Sequence, residues 1–534
     1  MKAMPLDGRH ARAMAPHIVA DIGADGAWRE HFAWPLAQPQ RAVLAMRSAE
    51  ALQAWFPTLA GLERQVVALA GARFLNRTAR ILVAAGEVDA AARLGIAFRG
   101  SDAEADWLSG SGPQPTPARG GRHGPRGWRR RVQALRDLRN TFRLLPPGRA
   151  AAALLAPQSS ALNFGPLLRQ AASVGARRVR YREGAALLAR ARAGAARGGS
   201  SGLDVEALAV RWTTAVLDGA GLPDAVRGRA AAVIGTDTAR ALAEAEADLA
   251  ALAQVAIGDE VWAGSGGNYA LRAIGLAVLR RGGTVTRFAH GGAAGLDDYI
   301  RLGSFIDLLP SSRFVVATQR LAEVVADRRR ADPSVAYAGA DVAGASGDPV
   351  FRAVPARNPG SGQRRPRVLY VTTLFTGTTQ HLPPTLADPV YFDWQLRLLD
   401  MLRTFPCELV VKPHPENHVL WNRQPIEPHA VCDNRPFRTA LAEADVLLFD
   451  FALTTAFWEA LCSDRPVVLV QPAGERLNPA LRDLYAARLK RVDVRHDERN
   501  RPTVDSAALA AALADAAGQA VDPAPFRALL AGDA

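Results

Sequence analysis

Three short segments combine residue types that do acid–base or anion-binding chemistry, and each directly follows an apolar run. The first is Lys412-Pro413-His414-Pro415, after CELVV. Its two prolines set φ near about −65° on either side of the histidine and block re-entry into strand or helix, so the imidazole sits on a stiff loop. A cation beside a rigid imidazole suits a phosphate or a departing nucleotide. The second is DVLLFDFALTTAFWE, Asp445 to Glu459, where a strand is expected to end at Asp450 and a helix to begin near Thr454-Thr455. First-turn N–H groups and threonine hydroxyls together make an anion site. Glu459, about one turn on, is placed either to accept hydrogen bonds from a ribose or sugar hydroxyl or to complete a capping box. The third is His290-Gly291-Gly292 after TVTRFA, followed by Gly295, Asp297 and Asp298. Its glycines permit close backbone approach to a ligand, and His290, Asp297 and Asp298 are candidate general bases for an acceptor hydroxyl. Upstream, Gly264-Ser265-Gly266-Gly267-Asn268 follows DEVWA in the same way and offers a loop for an acceptor or donor group. It is not G-x-G-x-x-G, and no dinucleotide is assigned.

These loops need elements to hold them. Strands are predicted at RVLYVTT (Arg367 to Thr373), CELVVK (Cys407 to Lys412), DVLLFD (Asp445 to Asp450) and PVVLV (Pro466 to Val470). Helices are predicted at Tyr391 to Phe405, Pro436 to Glu443 and Thr454 to Cys462. Earlier, AAALLA, RRVRYR, DEVWAG and TVTRFAHGG are short apolar runs alternating with helical stretches such as NYALRAIGLAVLRRG. Strand and helix taking turns predicts parallel sheets covered on both faces, with ligands beyond the carboxyl ends of the strands. Residues 40–98 show helical apolar spacing and read as helical or as a degenerate α/β piece. Gly100 to Gly127 is Gly-, Pro- and Arg-rich and reads as a linker or surface loop; Val354 to Pro366 is a second break. Trp128 to Leu145 reads as a basic amphipathic helix, able to touch anionic headgroups or simply to present a solvated face. The domain reading is therefore residues 1–127 as an N-terminal extension, 128–353 as a first Rossmann-like unit on the acceptor side, and 366–520 as a second that binds the donor.

The chain has 534 residues, enough for two or three cores. Three cysteines, none in a CxxC pair, argue against a disulfide framework or zinc site and fit a reducing cytoplasm. No stretch approaches the about 20 apolar residues that span a bilayer, and the first residues carry no apolar leader segment. A formal charge of +13 fits nucleic acid, anionic lipid or an acidic small molecule as partner. The basic segments lack interleaved aromatics and match no nucleic-acid module, which argues against nucleic acid.

The K-P-H-P loop, followed downstream by D-x-x-x-T-T-x-x-x-E and a D-R-P-V strand, resembles the carboxyl-terminal domain of bacterial surface-polysaccharide glycosyltransferases. That broad GT-B group includes Kdo- and sialic-acid-transferring capsule enzymes and, more distantly, CDP-glycerol glycerophosphotransferases. The similarity covers Asp259 to Gln471, under half of the chain. It implies two Rossmann-like doubly wound domains facing a cleft, no cofactor, no bound metal, and a nucleotide-activated sugar as donor, CMP preferred with UDP or GDP as alternatives. It implies a glycan or glycolipid acceptor at the inner face of the cell membrane. His414 and Pro415 then contact the nucleotide phosphate, with Lys412 and Asp450 beside them, and Thr454 and Thr455 bind phosphate. The His290 turn is similar to a His-Gly segment across the cleft in related transferases. Sialyltransferases of the group use an acidic pair followed by glycine as base, whereas this chain has Leu296-Asp297-Asp298-Tyr299, so the base stays open between His290, Asp297 and Asp298. Alternatives are polyol-phosphate transfer from a CDP-glycerol relative, nucleotide-sugar epimerisation, and a basic nucleic-acid- or membrane-binding scaffold.

Overall fold

The computed structural model describes residues 29, 33–93, 152–156, 179–195, 202–264, 266–289, 291–292, 294–355, 365–375, 382, 384–417, 424–474, 476–519 and 521–532. The segments 100–127 and 128–145, expected from sequence as a linker and a basic helix, and Ser265 and His290 lie outside the described residues.

The architecture is α/β with two parallel sheets. The first joins β1 (Ala152–Ala156), β2 (Val179–Glu183), β3 (Glu260–Ala263), β4 (Thr284–Phe288), β5 (Arg313–Val316) and β6 (Asp341–Gly344) in the order β2-β1-β3-β4-β5-β6. The second joins β7 (Arg367–Val371), β8 (Glu408–Lys412), β9 (Val446–Phe449), β10 (Val467–Val470) and β11 (Leu489–Val492) in the order β11-β10-β9-β7-β8. Every pair within the two sheets is parallel. Each sheet starts in its interior, steps outward once, then jumps back past its first strand, so the strand order reverses beside that strand.

The inner strands β9 and β10 are apolar throughout, and β7 nearly so, because both faces are covered. Leu369 and Val371 of β7, Leu447 and Phe449 of β9, and Val467 and Leu469 of β10 enter one core cluster. Their alternates Val368, Tyr370, Val446, Leu448, Val468 and Val470 enter the opposite one. The four strands and three helices expected from sequence over 366–470 all form, with ends shifted by up to a few residues, the largest shift being the helix at Asp388–Leu402.

Residues 38–93, assigned from sequence to an N-terminal extension, form two helices (Gln38–Trp55 and Gly61–Arg93) that share a core with the first sheet. Phe74 stacks at 4.9 Å on Trp212 of the helix Val205–Leu217, and Ala68 accepts a hydrogen bond from Arg272 of the helix Tyr269–Arg280. The Ala-rich face of Gly61–Arg93 lets the long helix Asp224–Ala253 approach closely, which an all-leucine face would prevent.

The two halves are tied together at several points. The helix Ala524–Leu530 returns to the first half, where Leu529 O accepts from Thr318 Oγ1 (2.7 Å) and Leu530 O from the Asp348 N–H (2.8 Å). Conversely, Trp34 lies in the core of the second half and donates its backbone N–H to Arg499 O (3.0 Å). A single apolar cluster, including Phe314, Phe351, Leu369 and Trp458, runs through both halves. Among the described residues no helix is long and apolar enough to cross a membrane.

Candidate functional site

In the second sheet the order reverses between β7 and β9, and the loops leaving β7, β8 and β9 diverge there. They enclose a cavity of about 690 Å³ lined by Thr372 and Thr373 after β7, Lys412 to Glu416 at and after the end of β8, and Phe451, Leu453 to Ala456 and Glu459 after β9. Thus Lys412, His414, Pro415, Thr454, Thr455 and Glu459, singled out from sequence at separate places, line one cavity. Asn417 braces it: its side chain accepts from the Phe375 N–H (3.1 Å) and donates to Thr373 O (3.5 Å), joining the loop after β8 to the loop after β7.

Lys412 is 7% exposed, and its ammonium donates to Pro413 O at 3.3 Å. Burial lowers its pKa, and the nearby charge of Asp433 opposes that. Asp433 is itself bound by Arg435 at 2.6 Å, and among the described residues no carboxylate lies within ion-pair distance of Lys412. A buried cation in a cavity without a neutralising partner is a strong anion attractor.

His414 accepts the Glu416 N–H at Nδ1 (3.3 Å), which leaves the proton on Nε2. Burial, and then the charge of Lys412, push its pKa down to about 4, so at neutral pH the ring is uncharged and Nε2–H is a neutral donor. Its carbonyl is pinned by Gln424 Nε2 (2.9 Å), which fixes the loop that the two prolines stiffen.

Thr454 is the N-cap of the helix Thr455–Leu461, its Oγ1 accepting the Phe457 N–H at 3.2 Å. Phe457 is therefore the N3 residue, and Glu459 stands too far along to close a capping box, contrary to that sequence alternative. Glu459 instead pairs with Arg438 (2.8 Å) at the cavity wall, and burial raises its pKa.

Asp450 is corrected from ligand to support. It is 1% exposed and absent from the cavity lining; its carboxyl receives hydrogen bonds from Tyr370 (2.5 Å), Tyr391 (3.1 Å) and Trp394 Nε1 (3.3 Å). The Tyr391 hydroxyl in turn accepts the Thr373 N–H at 2.8 Å, so Asp450 positions the cavity floor through Tyr391. Burial pushes its pKa up to about 7 against those three donors.

The glycine loop after β3 is likewise corrected. Gly264 O accepts from Arg287 (3.0 Å), Gly266 O from Arg272 (3.4 Å), and the Gly266 N–H donates to Asp307 (2.7 Å). A Cβ on Gly266 would lie 1.9 Å from Ile306 O. Neither Gly264 nor Gly266 lines either cavity.

The turn after β4 makes close approaches to the protein's own groups, and of its two glycines Gly291 alone lines a cavity. Gly291 and Gly292 have φ of +73° and +81°, and a Cβ would meet Thr455 Oγ1 at 3.3 Å and Phe351 Cζ at 2.5 Å respectively. The turn thus lies against the helix Thr455–Leu461 of the other half. Beside it is a smaller cavity of about 320 Å³, whose wall includes Gly291, Asp297, Tyr299, Asp307, Leu453 and Thr455. Leu453 and Thr455 line both cavities.

Asp297 and Asp298 part company. Asp298 pairs with Arg328 at 2.7 Å, and its side chain is 46% exposed. Asp297 faces the smaller cavity, accepts the Tyr299 N–H at 3.1 Å, and burial pushes its pKa up to about 7. Its segment is stitched to the second half: Asp297 bridges Leu477, the Asp298 N–H donates to Arg476 O (3.1 Å), and Asn478 Nδ2 donates to Gly295 O (2.7 Å).

Arg476 was not found from sequence. At 1% exposure it holds the Tyr299 hydroxyl (2.8 Å), Ala473 O (3.1 Å) and Pro384 O, with its guanidinium 5.8 Å from the Phe451 ring centre, between the two cavities. No motif marks it; in an arginine-rich chain a buried arginine looks like any other. Arg438 was missed for the same reason. Among the described residues no three His, Cys, Asp or Glu side chains group as a metal site.

No family model and no curated protein sequence matches the chain.

Proposed function

We propose that the protein is a glycosyltransferase of the GT-B type, moving a sugar from a nucleotide-activated donor to a hydroxyl of a cell-surface polysaccharide or glycolipid. The observation that carries the reading is the buried ammonium of Lys412, unneutralised beside His414 and Thr455 in a cavity at the point where the strand order reverses. The resemblance of the K-P-H-P and T-T-x-x-x-E segments to surface-polysaccharide transferases supplies the reaction class, and makes CMP the preferred leaving group over UDP or GDP.

In this reading Lys412, the Nε2–H of His414 and the Thr455 hydroxyl hold the phosphate. Glu459 accepts hydrogen bonds from ribose or sugar hydroxyls. Asp297 takes the proton of the acceptor hydroxyl, whose oxygen forms the new bond to the sugar carbon. The sugar–phosphate bond breaks with its electron pair on the phosphate, where the cation and hydrogen-bond donors stabilise the charge. Asp297 is preferred to Asp298 because Arg328 already holds the latter. The protein works at the cytoplasmic face of the membrane, with the segment 128–145 as its contact. Deleting that segment should abolish flotation with anionic liposomes.

The decisive experiment is a thermal-shift series of wild type and His414→Ala with CMP, CDP, UDP and GDP, because a ligand that binds only the folded state raises its stability. A CMP shift lost in the variant supports the reading. A UDP or GDP shift changes the donor. Absence of any shift overturns the transferase.

A further inference from the structure

The two adjoining cavities differ in charge, and the difference bears on the acceptor. We propose that the smaller cavity is the subsite for an uncharged, hydroxyl-bearing group, so that the accepting end of the glycan is a neutral sugar rather than an acidic one. As an acceptor subsite it rests on the transferase reading; as a site for a neutral sugar it stands on its own walls.

The walls are chemically consistent. Asp297 presents a carboxyl that makes one hydrogen bond to the Tyr299 N–H, leaving acceptor capacity facing the cavity. Asp307 adds a second carboxyl. Among the described residues on the wall the one cation is Arg328, which Asp298 neutralises at 2.7 Å. Arg272 and Arg287, whose fields reach Asp307, spend their N–H groups on backbone carbonyls behind the wall. Among the described residues, an acidic sugar would bring its carboxylate against Asp297 and Asp307 with only the Asp298-paired Arg328 to meet it, whereas a neutral hydroxyl donates to the Asp297 carboxyl. The larger cavity differs in presenting Lys412, which no carboxylate pairs among the described residues, beside Glu416 and the Arg438-held Glu459.

Size and place agree. At about 320 Å³ the space lies at the small end of ligand pockets, which run to roughly 300–1,000 Å³, and suits a single ring. Thr455 and Leu453 wall both cavities, so a hydroxyl beside Asp297 and a phosphate beside Lys412 approach the same partition from its two sides.

Gly303 offers a clean plug. It lines the smaller cavity, has φ of −59°, and an added Cβ would meet nothing within 4 Å. Saturation-transfer NMR on the full chain should therefore be run with methyl glucoside, methyl galactoside and methyl glucuronide, with CMP in the same sample. The neutral glycosides should saturate several-fold more strongly than the glucuronide, and Gly303→Leu should abolish their signal while CMP still saturates. Asp297→Asn, which changes charge with little change of shape, should raise the glucuronide signal toward the neutral ones and serves if the plug variant does not fold. Equal saturation by glucuronide in wild type, neutral signals that survive Gly303→Leu, or no neutral signal at all would each overturn the proposal. Absence of CMP saturation alone would remove CMP as the leaving group and leave the glycoside arm to decide this proposal.

Discussion

The loops leaving β3 and β8 follow inner and edge strands of two similarly ordered parallel sheets, and both are punctuated by residues that stop a strand, yet they end differently. After β3, Arg272 and Arg287 fill the space and spend their guanidinium groups on carbonyls of residues such as Ala68, Gly264, Leu271 and Phe305. After β8, Lys412 is also buried, though less completely, makes one bond to its neighbour's carbonyl, and leaves its remaining N–H groups to a cavity. Burial of a cation does not by itself mark a site. What marks one is donor capacity that the protein does not consume.

That contrast is broken most directly at Arg272. Burial lowers its pKa to about 9, which still leaves it charged at neutral pH. Arg272→Met keeps much of the volume but orphans carbonyls of Ala68, Phe305 and Ile306. A loss of about 3–5 kcal/mol in urea unfolding is expected, since each orphaned buried carbonyl costs about 1–3 kcal/mol. Nucleotide affinity of the protein that remains folded should not change. An affinity loss without a stability loss would erase the distinction.

Lys412→Met is the mirror experiment. Removing an unneutralised buried charge should leave the melting temperature unchanged or raised. The nucleotide dissociation constant should rise by roughly 10–100-fold, the worth of a charge-assisted hydrogen bond of about 1.5–3 kcal/mol. A variant that melts far lower while binding normally would make Lys412 architecture like Arg272.

Which of these roles was legible in the sequence follows from what each role requires. Strand-ending motifs betray themselves because proline, glycine and threonine act on the local backbone. The prolines of K-P-H-P stiffen the loop, Gly291 and Gly292 have positive φ, and Thr454 caps a helix, all within reach of their own sequence. The burial of β7, β9 and β10 on both faces was legible from their nearly unbroken apolar runs. Contacts between distant segments were not. Nothing near Ala68 announces that Arg272 will reach it, and nothing near Arg476 announces Tyr299. Asp450 reads as a ligand because a carboxylate stands at a strand end, and Tyr370, Tyr391 and Trp394, all remote in sequence, turn it inward.

Asp450 supplies a pH test of that inward turn. Its folded-state pKa is pushed up to about 7, whereas an unfolded aspartate titrates near about 3.9. The folded state thus holds the proton more tightly, and the stability this confers is intact below about pH 3.9 and lost as pH rises through about 7. Asp450→Asn, which mimics the neutral acid, should flatten the decline in unfolding free energy between pH 5 and pH 8.5 by on the order of 2 kcal/mol. Asp297, raised in the same direction, leaves a residual slope. An unchanged slope would mean that Asp450 is ionised within its three donors.

The smallest and sharpest separation lies between two adjacent threonines. Thr454 spends its hydroxyl oxygen on the Phe457 N–H, and Thr455, more exposed, faces both cavities. Thr454→Ala should therefore cost about 1 kcal/mol of stability, the usual worth of an N-cap, and raise the nucleotide dissociation constant only slightly. Thr455→Ala should hold its stability within about 0.5 kcal/mol, as surface substitutions do, and weaken nucleotide binding by roughly 5- to 10-fold, the worth of one hydrogen bond. Thermal unfolding and CMP titration of the two variants together read both quantities. If the effects exchange places, the phosphate sits above Thr454 and the helix cap is expendable; if neither variant binds less tightly, the threonine pair belongs to the scaffold, and Lys412 and His414 hold the anion alone.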